Sequence, residues 1–154
     1  MKKKFPLLYL FMLSIVLAGC SNDSPENTEE ITPNSVTYQL NSVAKPEVSG
    51  KVTFKKIDDA TTEVTLQLNG SSTDIHVGHI HLNNALQGGP IAITLKDIEC
   101  DCENSVTLVT KLDNGTAISY EELINFDGYV DIHQSEDELD VIIALGNIGK
   151  NASK

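Results

Sequence analysis

Arginine is absent from this chain: all eleven basic residues are lysine, set against twenty-two acids in 154 residues. Without a guanidinium there is no planar, bidentate recognition of phosphate or carboxylate. A net charge of −11 further excludes nucleic acid as a natural partner. No G-x-S-x-G elbow and no glycine-rich phosphate loop ahead of a helix occurs, so the usual signatures of nucleophilic and nucleotide chemistry are missing. The longest apolar run, residues 5–16, is too short for a confident membrane span. No repeat of fixed period is found.

What is present begins with Lys2, Lys3 and Lys4, followed by that apolar run and by "LAGC" at residues 17–20. A basic start, an apolar stretch and small residues before a cysteine make an export leader resembling the bacterial lipobox. Residues 1–19 are therefore expected to be a lipoprotein signal peptide, with Cys20 acylated as a palmitate-type anchor in the cell envelope. Cleavage takes three lysines and no acid, leaving eight lysines against twenty-two acids, a mature charge of −14. Residues 20–34 read as an acidic tether, with two prolines and too little apolar surface to order themselves. Extended, the tether reaches about 45–50 Å. Its acids after the cysteine are also compatible with a surface-export signal.

From Ser35 to Asn151 the hydrophobic period is two. Val36, Tyr38 and Leu40 alternate with polar residues, as do Val52 and Phe54, and Val64, Leu66 and Leu68 before a turn at Asn69-Gly70. The pattern recurs at Ile91, Ile93 and Leu95, at Val106 and Leu108, at Val130 and Ile132, and at Leu139, Val141, Ile143 and Leu145. Short strands at this spacing predict one all-β domain, a two-sheet antiparallel sandwich. Its expected core contains Val64, Leu66, Ile80, Leu82, Ile93, Val130, Ile132, Val141 and Ile143. One short helix is expected in "SYEELINF", where Ser119 and Glu122 have capping-box spacing, before Asp127-Gly128 turns the chain.

All four histidines fall in two of these segments, "HVGHIHL" and "GYVDIH". If Ile80 and Leu82 face the core, His79 and His81 face the other way; by the same parity Tyr129, Asp131 and His133 face away from Val130 and Ile132. A bend at Gly78, where the apolar parity flips, would bring His76 to the same side. His79, His81 and His133, with His76 as a fourth and Asp131 orienting a ligand or completing the shell, are thus a candidate surface site for zinc or copper. The alternative is a strand showing its imidazoles to water. Cys100 and Cys102, in an acidic loop, leave open a strained or intermolecular disulfide, inert thiols or a soft metal site. Glu136, Asp137, Glu138 and Asp140 lack EF-hand spacing and read as a solvated turn.

The stretches "HVGHIHLNNALQGGPIAITL" (76–95), "SYEELINFDGYVDIH" (119–133) and "ALGNIGKN" (144–151) resemble the CHRD domain, named for its repeats in chordin and also found in bacterial lipoproteins. The resemblance covers most of residues 35–151. It implies an immunoglobulin-like sandwich, extracellular placement and a binding or scaffold role without catalysis, with an extracellular protein or polysaccharide as partner. Where many members close with G-E-I-R-G, this chain has "ELDVIIALGNIG". The H-x-H strand is also locally similar to copper/zinc superoxide dismutases, but those enzymes guide an anion with an arginine that this acidic chain lacks. Two expectations follow: a lipid-anchored, non-enzymatic binding module, or a histidine-based zinc or copper protein with redox activity open to it.

Overall fold

The computed structural model describes residues 34–44, 48–70, 75–99 and 104–152. The leader, Cys20 and nearly all of the tether lie outside the described residues, as do Cys100 and Cys102. Among the described residues no helix is long and apolar enough to cross a membrane.

The period-two segments form eight antiparallel strands and one short helix. They are β1 (Ser35–Ser42), β2 (Ser49–Lys56), β3 (Thr62–Asn69), β4 (Gly78–Leu82), β5 (Ile91–Thr94), β6 (Asn104–Val109), α1 (Tyr120–Leu123), β7 (Asp127–His133) and β8 (Ile142–Gly149). Hydrogen bonding links them in the order β5-β4-β7-β8-β1-β2-β3-β6. The sheet curls at β1, which pairs with β2 through Ser35 to Leu40 but with β8 only through Asn41 and Ser42. The two halves consequently face each other across one core in a sandwich-like arrangement, with Leu66 of β3 packed against Gly78 of β4.

Register aligns the apolar residues into inward rows, since directly opposed residues of an antiparallel pair share a face. Val36, Phe54 and Val64 make one row, and Tyr38, Val52 and Leu66 the next. The Tyr38 and Phe54 rings meet edge-on at 5.6 Å. On the other half Ile80 opposes Val130, and Ile132 opposes Ala144, all fully buried. The helix forms as its sequence predicts: Ser119 accepts from the Glu122 amide while the Glu122 side chain takes the Ser119 amide, and Tyr120 and Leu123 are buried.

Several sequence expectations are corrected. Leu82 is 38 % exposed and Val141 42 % exposed, because each sits at a strand margin where the chain departs from the core. In β6 the apolar Val106 and Leu108 point outward and Ser105 and Thr107 take the inward phase opposite Leu66 and Val64. These hydroxyls have work there. Thr107 Oγ1 accepts from the Lys96 amide and Ser105 Oγ donates to the Lys96 carbonyl, so the polar residues of β6 tie the sheet's last strand to the chain leaving β5. Asp113 adds to the same seam, its carboxylate accepting from the Thr94 amide and hydroxyl. Ile93 of β5 and Leu95 just after it are buried as expected, whereas Ile91 is exposed. Register shifts fall between Ile80 and His81 in the β4–β5 pair and between Ile132 and His133 in the β7–β8 pair, while Gly78 opens β4 opposite Ile132. Asp127 and Gly128 do not turn the chain but open β7.

Candidate metal centre

β7 is buried on both faces: from Gly128 to His133 every residue is buried, including Tyr129, Asp131 and His133. The expectation of a wet outer face is therefore wrong. Antiparallel pairing explains the cover. The segment after β4 begins at one end of the β4–β7 pair and the segment after β7 at the other, and each brings a backbone group to the histidine face. From the first side the Gly89 carbonyl reaches His81, and from the second the Leu139 backbone reaches His133.

Beneath this cover His79, His81, Asp131 and His133 form one group, each offering a ligand atom within 4.8 Å of every other. The register builds it: His79 is directly opposite Asp131, His81 opposite Tyr129, and His133 is two residues beyond Asp131 on the same face. His79 Nδ1 lies 3.1 Å from His133 Nε2. Asp131 Oδ2 is 3.1 Å from His81 Nε2, and Oδ1 is 3.3 Å from His133 Nε2 and 3.7 Å from His79 Nδ1. Ligand atoms bound at 2.0–2.1 Å around a tetrahedral ion stand about 3.3 Å apart, which the closest of these separations match, the whole group lying within 4.8 Å. His81 Nε2 and Asp131 Oδ1 are buried and close to partners, yet neither makes a hydrogen bond of good geometry. His79 Nδ1 and His133 Nε2 share one hydrogen bond, while His81 Nε2 and Asp131 Oδ1 are left without one, and a cation bound among the four would satisfy those two.

The electrostatics match this geometry. Burial would push the Asp131 carboxyl up, but the imidazoles of His133 and His79 beside Oδ1 and the nearby His81 hold it well below the usual carboxylate range. His133 is raised, chiefly by the Asp131 carboxylate beside it, which outweighs the opposing effect of burial. A single carboxylate with three imidazoles leaves a divalent ion one net positive charge to be carried in the site.

The ligand orientations are partly fixed from outside. His81 Nδ1–H donates to the Gly89 carbonyl at 2.8 Å, so Nε2 is the nitrogen that faces Asp131. Its ring stacks on Tyr129 at 4.7 Å and 13°. His81 is also the residue of the four nearest solvent, with 12 % of its side chain exposed.

His79, His81, His133 and Asp131 are thus brought together, and His76 is not. The His76 ring is buried, with Nδ1–H shared between the carbonyls of His133 and Gln134 at 3.2 and 2.9 Å, and its backbone pairs with Ile98. It pins the chain entering β4 to the end of β7. Glu136, Asp137, Glu138 and Asp140 are exposed, as a solvated turn should be. The Gly89 carbonyl and Tyr129 were not legible as site groups, although Tyr129 shares the parity of Asp131 and the Gly88-Gly89-Pro90 run marks a tight backbone approach. Compared with known proteins, the chain matches no family model and no curated sequence.

Proposed function

We propose that this protein is a metal-binding module that holds one zinc ion through His79, His81, His133 and Asp131. The observation that carries the reading is the buried convergence of four ligand atoms from two neighbouring strands, all within 4.8 Å of one another. Zinc has no geometric preference of its own and accepts three imidazoles and a carboxylate in four-coordination. Copper(II) takes the same ligand types but favours a tetragonal arrangement, which makes it the second candidate.

Four protein ligands fill a tetrahedral ion, so the role is closed and structural: the ion ties β4 to β7 at the centre of one half of the sandwich. We place this module outside the cytoplasm, anchored through Cys20 and carried on the acidic tether. In that setting it serves as a non-enzymatic binding or scaffold domain of CHRD type, recognising an extracellular protein or polysaccharide. Support for this placement comes from the leader and the sequence resemblance.

The test is elemental analysis of protein purified without a histidine tag and dialysed against a weak chelator. The reading expects about one zinc per chain, and an Asp131→Asn variant with far less. A preparation that neither carries nor takes up a stoichiometric transition metal contradicts it.

A further inference from the structure

All four residues project from the β4–β7 pair, and His81 is held in addition by a backbone group outside it. A histidine can ligate through either ring nitrogen, and the partner of the other nitrogen decides which. For His81 that partner is the Gly89 carbonyl, 2.8 Å from Nδ1. The same backbone approaches the Tyr129 hydroxyl, and the Tyr129 ring lies flat against the imidazole.

The carbonyl reaches this position because residue 89 has no side chain. A Cβ there would collide with the Leu82 carbonyl oxygen and crowd the Asn83 side chain. The turn is built to close this tightly. Asn83 and Gly88 both adopt left-handed backbone, at φ 67° and 66°. Asn83 Nδ2 donates to the Gly88 carbonyl, the Asn84 side chain accepts from the amides of Leu86 and Gln87, and the Ala85 amide donates to Asn147 of β8. The turn is thereby tied to β8 as well as to its own strand.

We propose that the turn of residues 83–89, through the Gly89 carbonyl and with Tyr129 behind the ring, is the positioning shell of the metal site. It sets His81 as an Nε2 ligand and fixes the plane of the ligand nearest solvent. This rests on the metal-binding reading above. The glycine at position 89 and the aromatic ring at position 129 thus act on the metal through His81 without touching it.

The test uses the full chain, zinc and cobalt(II) as probes, and three variants: Gly89→Ala, Tyr129→Leu and Tyr129→Phe. Nitrogen-15 correlation spectra of the zinc-loaded wild type should show His81 protonated at Nδ1 and bound through Nε2. Gly89→Ala and Tyr129→Leu should weaken zinc about 10–100-fold, the usual effect of losing an outer-shell partner. They should also change the cobalt(II) ligand-field spectrum. Tyr129→Phe, which keeps the stacked ring, should retain both the wild-type affinity and the wild-type spectrum. Thermal unfolding of the metal-free proteins separates these effects from loss of fold. Ligation of His81 through Nδ1, or Gly89→Ala and Tyr129→Leu both binding within twofold of wild type, overturns the proposal. A wild type that binds neither ion removes the metal reading and this inference together, whereas normal binding in wild type with indifferent variants removes this inference alone. Should Gly89→Ala fail to fold, the His81 spectrum and the Tyr129 pair decide it.

Discussion

His79 Nδ1 and His133 Nε2 stand 3.1 Å apart on neighbouring strands, both residues buried. Two imidazole nitrogens at that distance repel unless a proton or a cation lies between them. Without metal, the proton is supplied by raising His133 against the Asp131 carboxylate. With metal, the ion replaces it.

Proton and metal therefore pull in opposite directions with pH. In the metal-free protein, protonated His133 contributes stability that is fully present below its unfolded pKa of about 6.5. That contribution is lost as pH rises through the raised folded value. The lowered Asp131 carboxyl contributes stability present above about 3.9 and lost as pH falls through its depressed folded value. Zinc needs the imidazoles deprotonated and binds more tightly as pH rises. Thermal melts between pH 5.5 and 8 should show the metal-free midpoint falling across the upper part of this range while the increment from added zinc grows. Parallel pH profiles with and without zinc would be inconsistent with a shared site.

Asp131→Asn should separate charge from shape. The amide keeps the volume and loses the only anionic ligand, so zinc affinity should fall by more than the roughly 100-fold that marks an outer-shell loss. The metal-free variant should also lose the raised His133 titration, which is measurable by proton NMR of the ring. An unchanged His133 titration would mean that Asp131 does not govern the cluster.

Core and surface should respond differently along two paired strands. Leu66 is buried against Gly78, so Leu66→Ala should cost about 2–5 kcal/mol in chemical denaturation. Leu108, 64 % exposed, should cost no more than about 0.5 kcal/mol when changed to Ala. Equal losses at the two positions would mean that the β6 phase described here is wrong.

That phase shows where the sequence was readable and where it was not. Alternation in "SVTYQL", "KVTF" and "EVTLQL" yields the correct strands and inward residues because each has one core face and one solvated face. In β6 the same rule selects Val106 and Leu108, but pairing with β3 and the need to bridge the seam put Ser105 and Thr107 inside. Parity also placed His79, His81, Asp131 and His133 on one face, and this grouping holds. Their burial was hidden because the covering segments are loops, whose path over the sheet leaves no periodic trace. His76 was misjudged for a related reason: its partners are the carbonyls of His133 and Gln134, and backbone groups have no sequence signature.

The leader makes a separate prediction. Cys20→Ser should abolish acylation and shift the protein from the membrane to the soluble fraction on cell fractionation. A variant with a cleaved leader that still sediments with membranes would argue against a lipid anchor at this cysteine.

The central claim is tested most directly by calorimetric titration of the tag-free protein with zinc, beside a His79→Ala/His133→Ala double variant. One saturable site near unit stoichiometry in wild type, with no heat above dilution in the folded double variant, is the predicted result. Equal heats from both proteins, or none from either, would contradict a metal centre built from these residues.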